Sequence, residues 1–427
     1  MLDIKFIREN KDLVAKAIKD KRRPEVDLDK VLDLYDKRKT KRQELEELNR
    51  QRNIAAQERD NELGKNVKDK IGPLESEVQN VESELKTLML TITNVPLADV
   101  VVGKDESENV QIRSSGEIPK LNFESKAHWD LGPALGVIDS EKAAEVVGAR
   151  FTYLKGDLVF LQFAILQYAL KVITDENKLK EIVANANLDV STRPFIPVLP
   201  PTMIRPGMLN AMARLDPKED KYYLPEDDLY LAGSAEHSLG PLHLNEVLKE
   251  EDLPIRYAGY STAYRREAGA AGKDTRGILR QHQFDKLEME TFCLPENSRT
   301  EHEFLVAIQE YLVASLGLPY RVVSICTGDM GFPNQKQTDI ETWMPGQNTY
   351  RETHTADLIG GFQARRLNTR LKRKDGQIEY VHMNDATAFA MGRIIIAIIE
   401  NYQQADGSIK IPVVLVPYMG KEYIGKK

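Results

Sequence analysis

The sequence predicts an α+β fold, in which an antiparallel sheet flanked by helices follows an N-terminal antiparallel helical hairpin, a coiled-coil arm. Three observations support this prediction. The first hundred residues hold a coiled-coil repeat, and the later chain holds short alternating segments bounded by Gly and Pro. Residues 143–175, 301–316 and 388–402 follow helical patterns.

The arm is predicted from apolar residues that alternate steps of four and three, the spacing of a coiled-coil seam. We expect the turn of the hairpin within residues 64–73, which begin with Gly and end with Pro. The arm is assigned to residues 1–100 and a second domain to residues 101–427. The strong seam comprises Val67, Ile71, Leu74, Val78, Val81, Leu85, Leu88 and Ile92. A weaker stripe precedes it at Leu28, Val31, Leu32, Tyr35, Leu45, Leu48 and Ala55 or Ala56, with Arg52 and Arg59 interrupting it.

A basic run lies on the first long helix of this arm. A helix of about 30 residues extends about 45 Å, so its outer face must meet solvent or a partner. One interpretation is an ordinary solvated surface. The other is a surface that binds RNA phosphates without recognising the bases. The run comprises Lys37, Arg38, Lys39, Lys41 and Arg42.

Composition limits the remaining choices. The 427 residues carry 59 basic and 66 acidic side chains, a net charge of −7, so any polyanion must meet a local basic patch. Two cysteines, Cys293 and Cys326, provide neither a disulfide framework nor a four-thiolate zinc site, which favours a reducing compartment and no zinc. The N-terminus lacks a secretory pattern, and the longest apolar run, residues 394–399, is far shorter than a membrane span of about 20 residues. We expect a cytoplasmic protein without a membrane segment.

Residues 260–293 carry the most informative motif, two extended stretches around a loop that holds Gly269, Gly272, Lys273, Asp274, Arg276 and Gly277. Because side chains alternate between the two faces of a strand, Arg265 and Glu267 are expected on the same face of the first stretch. On the second stretch, this alternation separates one face, with Arg280, His282, Phe284, Lys286 and Glu288, from the opposite face, with Gln281, Gln283, Asp285, Leu287 and Met289.

The face that holds Phe284 suits a nucleotide. An aromatic ring can stack on a base, and the flanking guanidinium groups can pair with phosphates. The alternative is an exposed hairpin with cross-strand ion pairs. A P-loop is excluded, because Glu267 and Asp274 occupy positions that need Gly and Ser or Thr.

The string TAYRREAGAAGKDTRGILRQHQFDKLE closely resembles motif 2 of the seryl-tRNA synthetases, a family of class II aminoacyl-tRNA synthetases. The resemblance extends over essentially the whole chain, including CTGDMG, WMPGQNTYRE, GFQARR and the segment from ENYQQ to PYMG. It implies a class II catalytic domain with motifs 1, 2 and 3, and activation of L-serine by ATP with Mg²⁺ to seryl-adenylate. It further implies transfer of serine to tRNA(Ser), extended to tRNA(Sec) where that pathway exists, and a homodimer with Pro201 at its interface.

The resemblance also implies residue roles. Arg265 would contact the α-phosphate and the substrate carboxylate, Arg393 the γ-phosphate, and Glu352 with Thr355 would hold ATP and Mg²⁺; Arg265, Arg393 and Glu352 are therefore the candidate catalytic residues. The implied ATP-binding set is Arg265, Arg266, Glu267, Arg280, Gln281, Phe284, Glu352, Thr353, His354, Thr355 and Arg393. The implied serine-binding set is Ser234, Ala235, Glu236, Arg265, Glu288, Asp385 and Thr387, and the implied tRNA-binding set is the basic run of the arm.

These residue types suit the implied reaction. The carboxylate of an amino acid is already ionised when it attacks the α-phosphorus, so no general base is needed. Charge develops on phosphate oxygens, and arginines with Mg²⁺ neutralise it.

The amino acid pocket departs from the family pattern more than the ATP site does. Gly233 to Glu236 replace Pro-Thr-Ala-Glu, Thr353 to Asp357 replace a Ser-Ser-Cys-Ser stretch, and Asp385 stands where an Asn is usual. Residues 203–224 replace a Gly-Thr-Gly-Gln loop. Two rivals remain: a paralogue that loads a carrier protein, and a binding protein that has lost activation. The arm disfavours the first rival, and the intact motif residues disfavour the second.

Overall fold

A computed structural model describes residues 1–267 and 276–425 of the chain. The loop residues Gly269, Gly272, Lys273 and Asp274 lie outside this range. The chain divides into two compact units, Met1–Val95 and Pro96–Lys427. Each unit has its own core. The first is a helical hairpin, and the second is a mostly antiparallel sheet packed against helices.

The helices of the first unit are α1 (Ile4–Glu9), α2 (Lys11–Asp20), α3 (Leu28–Glu58) and α4 (Asn61–Thr91). Those of the second unit are α5 (His128–Ala134), α6 (Ser140–Val147), α7 (Asp157–Ile173), α8 (Glu176–Ala186), α9 (Pro206–Ala211), α10 (Glu236–Leu239), α11 (Ser298–Ser315), α12 (Gly361–Leu367), α13 (Met391–Asn401) and α14 (Val416–Met419).

The hairpin of α3 and α4 confirms the predicted arm, but the predicted turn at residues 64–73 is wrong. The chain reverses at Arg59, which has φ 57°, and Asp60, whose carboxylate caps α4 by accepting a hydrogen bond from Leu63 N at 2.9 Å. Gly64 and Pro73 both lie inside α4. A Gly and a Pro lower helix propensity, yet here the packed apolar seam outweighs that cost.

The seam of α4 is confirmed with one shift. Its buried residues follow the predicted spacing as far as Leu85, after which Met89 is buried and Leu88 is only partly covered. The step is four residues instead of three, so the repeat leaves the strict heptad near the end of the helix. The buried seam residues are Val67, Ile71, Leu74, Val78, Val81, Leu85 and Met89.

The inner face of α3 is largely polar in its middle. Its buried residues are only Leu28, Val31, Leu34 and Ala55 among those described for this helix. In the gap between Leu34 and Ala55, three cations of the basic run pair with acids of α4. Arg38 and Arg42 lie 3.0 and 2.5 Å from Glu82, and Lys41 pairs with Glu77.

The second unit contains an eight-stranded sheet, which confirms the predicted antiparallel sheet with helices. Its strands, in chain order, are β1 (Val110–Ser115), β2 (Ile196–Val198), β3 (Ile255–Tyr264), β4 (Gln283–Cys293), β5 (Tyr320–Ser324), β6 (Lys336–Met344), β7 (Thr349–Gly360) and β8 (His382–Ala390). Their order across the sheet is β1-β5-β6-β7-β8-β4-β3-β2. The β2–β3 pair is parallel, and the other neighbouring pairs are antiparallel.

Helices α7, α11 and α13 supply much of the core that covers one face of this sheet. Helix α11 agrees closely with the predicted helix at residues 301–316. The predicted helix at residues 388–402 begins three residues late, because Phe389 and Ala390 still pair with Leu287 and Lys286 as the end of β8. The helical segment predicted at residues 143–175 is interrupted at Gly148, which has φ 104° and ends α6.

Among the described residues, no single helix is long and apolar enough to cross a membrane. Helices α7 and α8 meet the length and composition test only as a pair, which is bent by 77°.

A buried histidine–glutamate pair connects α5, α13 and the segment that enters β4. His128 Nδ1 donates to Glu400 Oε1 at 2.9 Å, and its Nε2 accepts from Ile278 N at 3.2 Å. Glu400 also accepts from His128 N and, through Oε2, from Gly346 N, both at 3.0 Å. Because a Cβ on residue 277 would lie 2.2 Å from His128 Nε2, glycine is required there. This cluster, His128–Glu400–Ile278, fixes the chain just before Arg280.

The observed position of the hairpin turn predicts opposite effects for two substitutions in the arm. Asp60→Ala removes a cap and should cost about 1 kcal/mol, whereas Gly64→Ala, inside a helix and without a close contact, should stabilise by about 1 kcal/mol. Amide hydrogen exchange at residues 55–67 of the full chain measures both. Lower protection in Gly64→Ala would favour the turn at residues 64–73.

The His128–Glu400–Ile278 cluster predicts that Glu400→Gln weakens the second unit. A glutamine presents one acceptor oxygen where the carboxylate presents two, so at least one buried donor loses its partner, at a cost of about 1–3 kcal/mol. Urea unfolding should detect this loss, together with faster exchange of the Ile278 amide. The matched control is Glu303→Gln, whose carboxylate makes an exposed pair with Arg299 at 3.4 Å and should contribute less than about 1 kcal/mol. Equal effects of the two variants would contradict the role of the cluster.

Candidate active site

A cavity of about 320 Å³ lies on the sheet face opposite helices α7, α11 and α13. Strand alternation separates the two faces: Phe284, Lys286 and Glu288 of β4 line the cavity, and the intervening Leu287 and Met289 lie in the core. The predicted division of β4 into two faces is therefore confirmed inside the strand. One end of the cavity combines arginines with Phe284, and the other end is acidic.

The pairing register of three central strands assembles the acidic end. Glu288 of β4 lies opposite Thr387 of β8, and Asp385 of β8 lies opposite Asp357 of β7. A bulge between Leu287 and Glu288 adjusts the register, so that Glu288 and Thr387 become partners. Residues that are about a hundred positions apart in the sequence thereby share one cavity wall.

The end near Phe284 lies at the rim of the sheet, where β3 stops and β4 begins. The guanidinium of Arg265 lies 5.4 Å from the Phe284 ring centre and is held by the carbonyl of Gly233 at 3.1 Å. Arg280 lies 3.5 Å from Glu267. Because all three charged residues are outside the strands, alternation does not govern them.

Gln281 shows the same limit of strand alternation. It lines the cavity, although alternation assigns it to the opposite face. His282, which alternation placed beside Phe284, bonds instead to the carbonyl of Arg265 at 3.0 Å and is not part of the cavity lining.

Arg393 and Glu352 form the wall beside this rim. Arg393 Nη1 lies 2.7 Å from Glu352 Oε1, which also accepts from Thr355 Oγ1 at 3.3 Å. Desolvation opposes ionisation of Glu352, but Arg393 and Arg265 lower its pKa overall. Asp339, opposite Thr355 in the sheet, has a raised pKa because of burial and of the Glu352 charge. The hydroxyl and the carboxylates are hard oxygen donors of the kind that Mg²⁺ prefers.

Arg214 organises the acidic end and was missed by the sequence analysis. Its Nε lies 2.9 Å from Glu236, and its Nη2 lies 2.9 Å from Asp357 and 3.2 Å from Asp385. The residue stands in an irregular segment after α9, where no periodic pattern predicts its direction. The carboxylates at positions 357 and 385, unusual for the motif, were the available signal that a cation had to lie nearby.

These charges shift the pKa values of the acidic end in opposite directions. Burial opposes ionisation of Glu236, yet Arg214 and Lys286 lower its pKa to about 2. Burial raises the pKa of Glu288 to about 7 and that of Asp385 well above its ordinary value. Burial also lowers the pKa of His237 to about 3, so this ring stays neutral. A cation bound at the acidic end would therefore favour the ionised forms of Glu288 and Asp385.

Four of the residues predicted to bind ATP or serine do not line the cavity. Arg266 donates to the carbonyl of Lys221 and lies over Tyr222, and His354 is buried against Thr353 and Phe389. Ser234 accepts from Lys286 Nζ at 3.2 Å, and Ala235 is buried beside it. The lining residues from the predicted sets are Glu236, Arg265, Glu267, Arg280, Gln281, Phe284, Glu288, Glu352, Thr353, Thr355, Asp385, Thr387 and Arg393.

A family model matches the chain in each of the two units. Residues 1–96 match the model of the seryl-tRNA synthetase N-terminal domain, and residues 221–402 match the class II tRNA synthetase core domain (G, H, P, S and T). Serine–tRNA ligase from Thermotoga petrophila is 39% identical, with 99% of this chain and 100% of that protein covered. The corresponding ligase from Treponema denticola is also 39% identical, over 100% of both chains.

Two solved structures superpose on nearly the whole chain. Seryl-tRNA synthetase from Pyrococcus horikoshii, complexed with ATP, superposes with a TM-score of 0.86 at 37% identity over 99% of each chain. The cytoplasmic enzyme from Naegleria fowleri, in complex with AMP, gives a TM-score of 0.83 at 30% identity over 99% of this chain and 98% of that one. The chain therefore belongs to the seryl-tRNA synthetase family and is a class II aminoacyl-tRNA synthetase.

Proposed function

We propose that the chain activates L-serine with ATP to seryl-adenylate and transfers the serine to tRNA(Ser). The observation that supports this most is a single cavity that joins a cationic, aromatic end to an acidic end. The cationic, aromatic end suits a nucleoside triphosphate, and the acidic end suits the ammonium and hydroxyl of a small amino acid. Relatives that match the whole chain are named serine–tRNA ligases, and two of the solved relatives hold ATP or AMP.

In the proposed activation step, the serine carboxylate attacks the α-phosphorus of ATP and pyrophosphate leaves. Phe284 stacks on the adenine, with Glu267, Arg280 and Gln281 around it. Arg265 pairs with the α-phosphate and the attacking carboxylate, so it brings together two groups that repel each other. Arg393 takes the γ-phosphate. The catalytic contribution is positioning and neutralisation of charge.

Glu352 and Thr355 are the proposed residues for Mg²⁺ that accompanies ATP, with Asp339 close behind them. When bound, the ion neutralises charge on the phosphate oxygens. Glu352 is held by Arg393 and Thr355 through its Oε1, so its carboxylate is positioned in the absence of the nucleotide. Thr353 completes this wall, and Arg266 and His354 support the rim from outside the cavity.

Serine recognition is proposed for the acidic end. Glu236 and Glu288 accept hydrogen bonds from the ammonium and the hydroxyl, Thr387 meets the hydroxyl, and Asp385 lies beside them. Ser234 and Ala235 act behind this layer, where Ser234 holds Lys286. A buried pocket that hydrogen-bonds a substrate hydroxyl rejects analogues without one, because its own polar groups are left unpaired.

The second proposed step transfers serine to the terminal adenosine of tRNA, which the arm holds through its basic run. We further propose a homodimer, in keeping with the exposed motif 1 proline Pro201, and a cytoplasmic location. The proposal extends to tRNA(Sec) where an organism uses it.

The decisive experiment is ATP–pyrophosphate exchange with each of the twenty amino acids, followed by charging of tRNA(Ser). Exchange with serine and charging of tRNA(Ser) support the proposal. Exchange without charging would favour the carrier-loading paralogue, and no exchange by the folded protein would favour the paralogue that only binds RNA.

Arg265→Ala is predicted to reduce serine-dependent exchange by at least about 10²-fold, the usual cost of removing a donor that stabilises transition-state charge. Sedimentation should show an unchanged assembly state. The matched control is Arg321→Ala, whose guanidinium pairs with Glu341 at 2.5 Å and does not line the cavity. The prediction is wrong if both variants keep the parental exchange rate.

Three of the five cations in the basic run of the arm are already in ion pairs. Arg38, Lys41 and Arg42 already pair with Glu77 and Glu82, so Lys37 and Lys39, both exposed, are the cations best placed to meet phosphates. Changing both to Gln should weaken tRNA binding and reduce the slope of log affinity against log salt by about two. Exchange without tRNA should stay constant. Changing Lys142 and Lys180 to Gln, two exposed lysines of the second unit, is the control, and an equal loss there would contradict the prediction.

A further inference from the structure

The acidic end of the cavity carries more negative groups than one amino acid ammonium requires. Four carboxyl groups line it, from Glu236, Glu288, Asp357 and Asp385. Two cations face them: Arg214 contacts three of the four carboxyl groups, and Lys286 lies 2.5 Å from Glu288. With all groups ionised, the formal balance is −2 before a substrate enters.

Three of these carboxyl groups converge on one point. Glu236, Glu288 and Asp385 each offer an oxygen, and the three oxygens lie within 4.8 Å of one another. Because no side of this triangle exceeds 4.8 Å, a nitrogen atom at its centre lies no more than about 2.8 Å from each corner, within the range of a charge-assisted N–H···O bond. An alkylammonium group donates three hydrogen bonds and so fits this triangle, whereas a hydroxyl has a single proton to donate.

A further carboxyl group lies behind the triangle. Glu290 follows Glu288 on the same face of β4 and is fully buried. Neither of its oxygens makes a hydrogen bond within the described part of the chain. It lies opposite Asp385 in the sheet, and burial raises its pKa well above the ordinary value, so it is a buried carboxyl group that no side-chain hydrogen bond satisfies.

We propose that the chain also activates a short amino acid whose side chain ends in an ammonium, for which L-2,3-diaminopropionate is the probe. This molecule is serine with an amine in place of the hydroxyl. The inference rests on the proposed function, because it uses the same amino acid site. The two ammonium groups share the four carboxylates, while Arg214 keeps Asp357 and Asp385 in place.

The reaction balances as it does for serine. A carboxylate oxygen of the amino acid forms a bond to the α-phosphorus, the bond from that phosphorus to the bridging oxygen breaks, and pyrophosphate leaves with the electron pair. The products are an aminoacyl-adenylate and pyrophosphate. The second ammonium favours the ionised forms of Glu288 and Asp385, and any proton that these groups release passes to solvent.

The test is ATP–pyrophosphate exchange by the full chain with serine, L-2,3-diaminopropionate, alanine and threonine. Mass spectrometry of the adenylate identifies the amino acid that was activated and so excludes traces of serine in the probe. We expect exchange with serine and with the diamino acid, and at least tenfold lower kcat/KM with alanine. Exchange with serine and none with the diamino acid would overturn this inference and leave the proposed function standing.

The other outcomes separate the two claims further. Exchange with the diamino acid alone would support the inference and contradict serine as the substrate. Exchange with neither amino acid by a folded protein would overturn both.

Asp385→Asn, which restores the amide usual in the family, tests the responsible residue. It should lower the ratio of kcat/KM for the diamino acid over serine at least tenfold, and Asp357→Asn should change the same ratio in the same direction. The second variant serves if the first fails to fold. Asp12→Asn, the same charge change on exposed helix α2, should leave the ratio unchanged. An unchanged ratio in folded Asp385→Asn and Asp357→Asn would contradict the inference.

Discussion

The register of β4, β7 and β8 is the constraint on which the rest of the site depends. Side chains alternate between the faces of a strand, so a slip by one residue would exchange the core set for the cavity set. Leu287, Met289 and Ala386 are buried under the helices, and this apolar contact fixes the register. Glu288 and Asp385 consequently face the cavity because their neighbours are required in the core.

Placing several carboxyl groups on one buried wall is energetically expensive, and Arg214 makes it possible. Removing one partner of a buried ion pair costs about 3–5 kcal/mol, because the remaining charge is then buried without compensation. A single guanidinium contacts Glu236, Asp357 and Asp385, so the three acids depend on one residue. The cation that lowers the pKa of Glu236 also anchors the segment after α9 to the sheet. The geometry of the acidic end and the local fold therefore depend on the same contacts.

The sequence predicted those parts of the molecule that periodicity or local motifs determine. The heptad spacing identified α4, and strand alternation assigned Phe284, Lys286 and Glu288 to one face. Alternation failed for Gln281 and His282, which precede the first residue of β4. The hairpin turn was misplaced because Gly64 and Pro73 weaken a helix locally, whereas seam packing along the whole of α4 decides where it begins. Arg214 was missed because its position depends on contacts with two strands whose acids lie 143 and 171 residues away, which no local pattern contains.

The His128–Glu400–Ile278 cluster has a consequence for how this sequence can vary. His128, Glu400 and Ile278 come from three distant parts of the chain. The imidazole of His128 also leaves no room for a side chain at Gly277. A change at one of these positions leaves a buried donor or acceptor without its partner, or creates a steric overlap. Only a change at another of these positions can correct this. The positions should therefore be inherited as a group, with substitutions appearing together in related sequences or not at all.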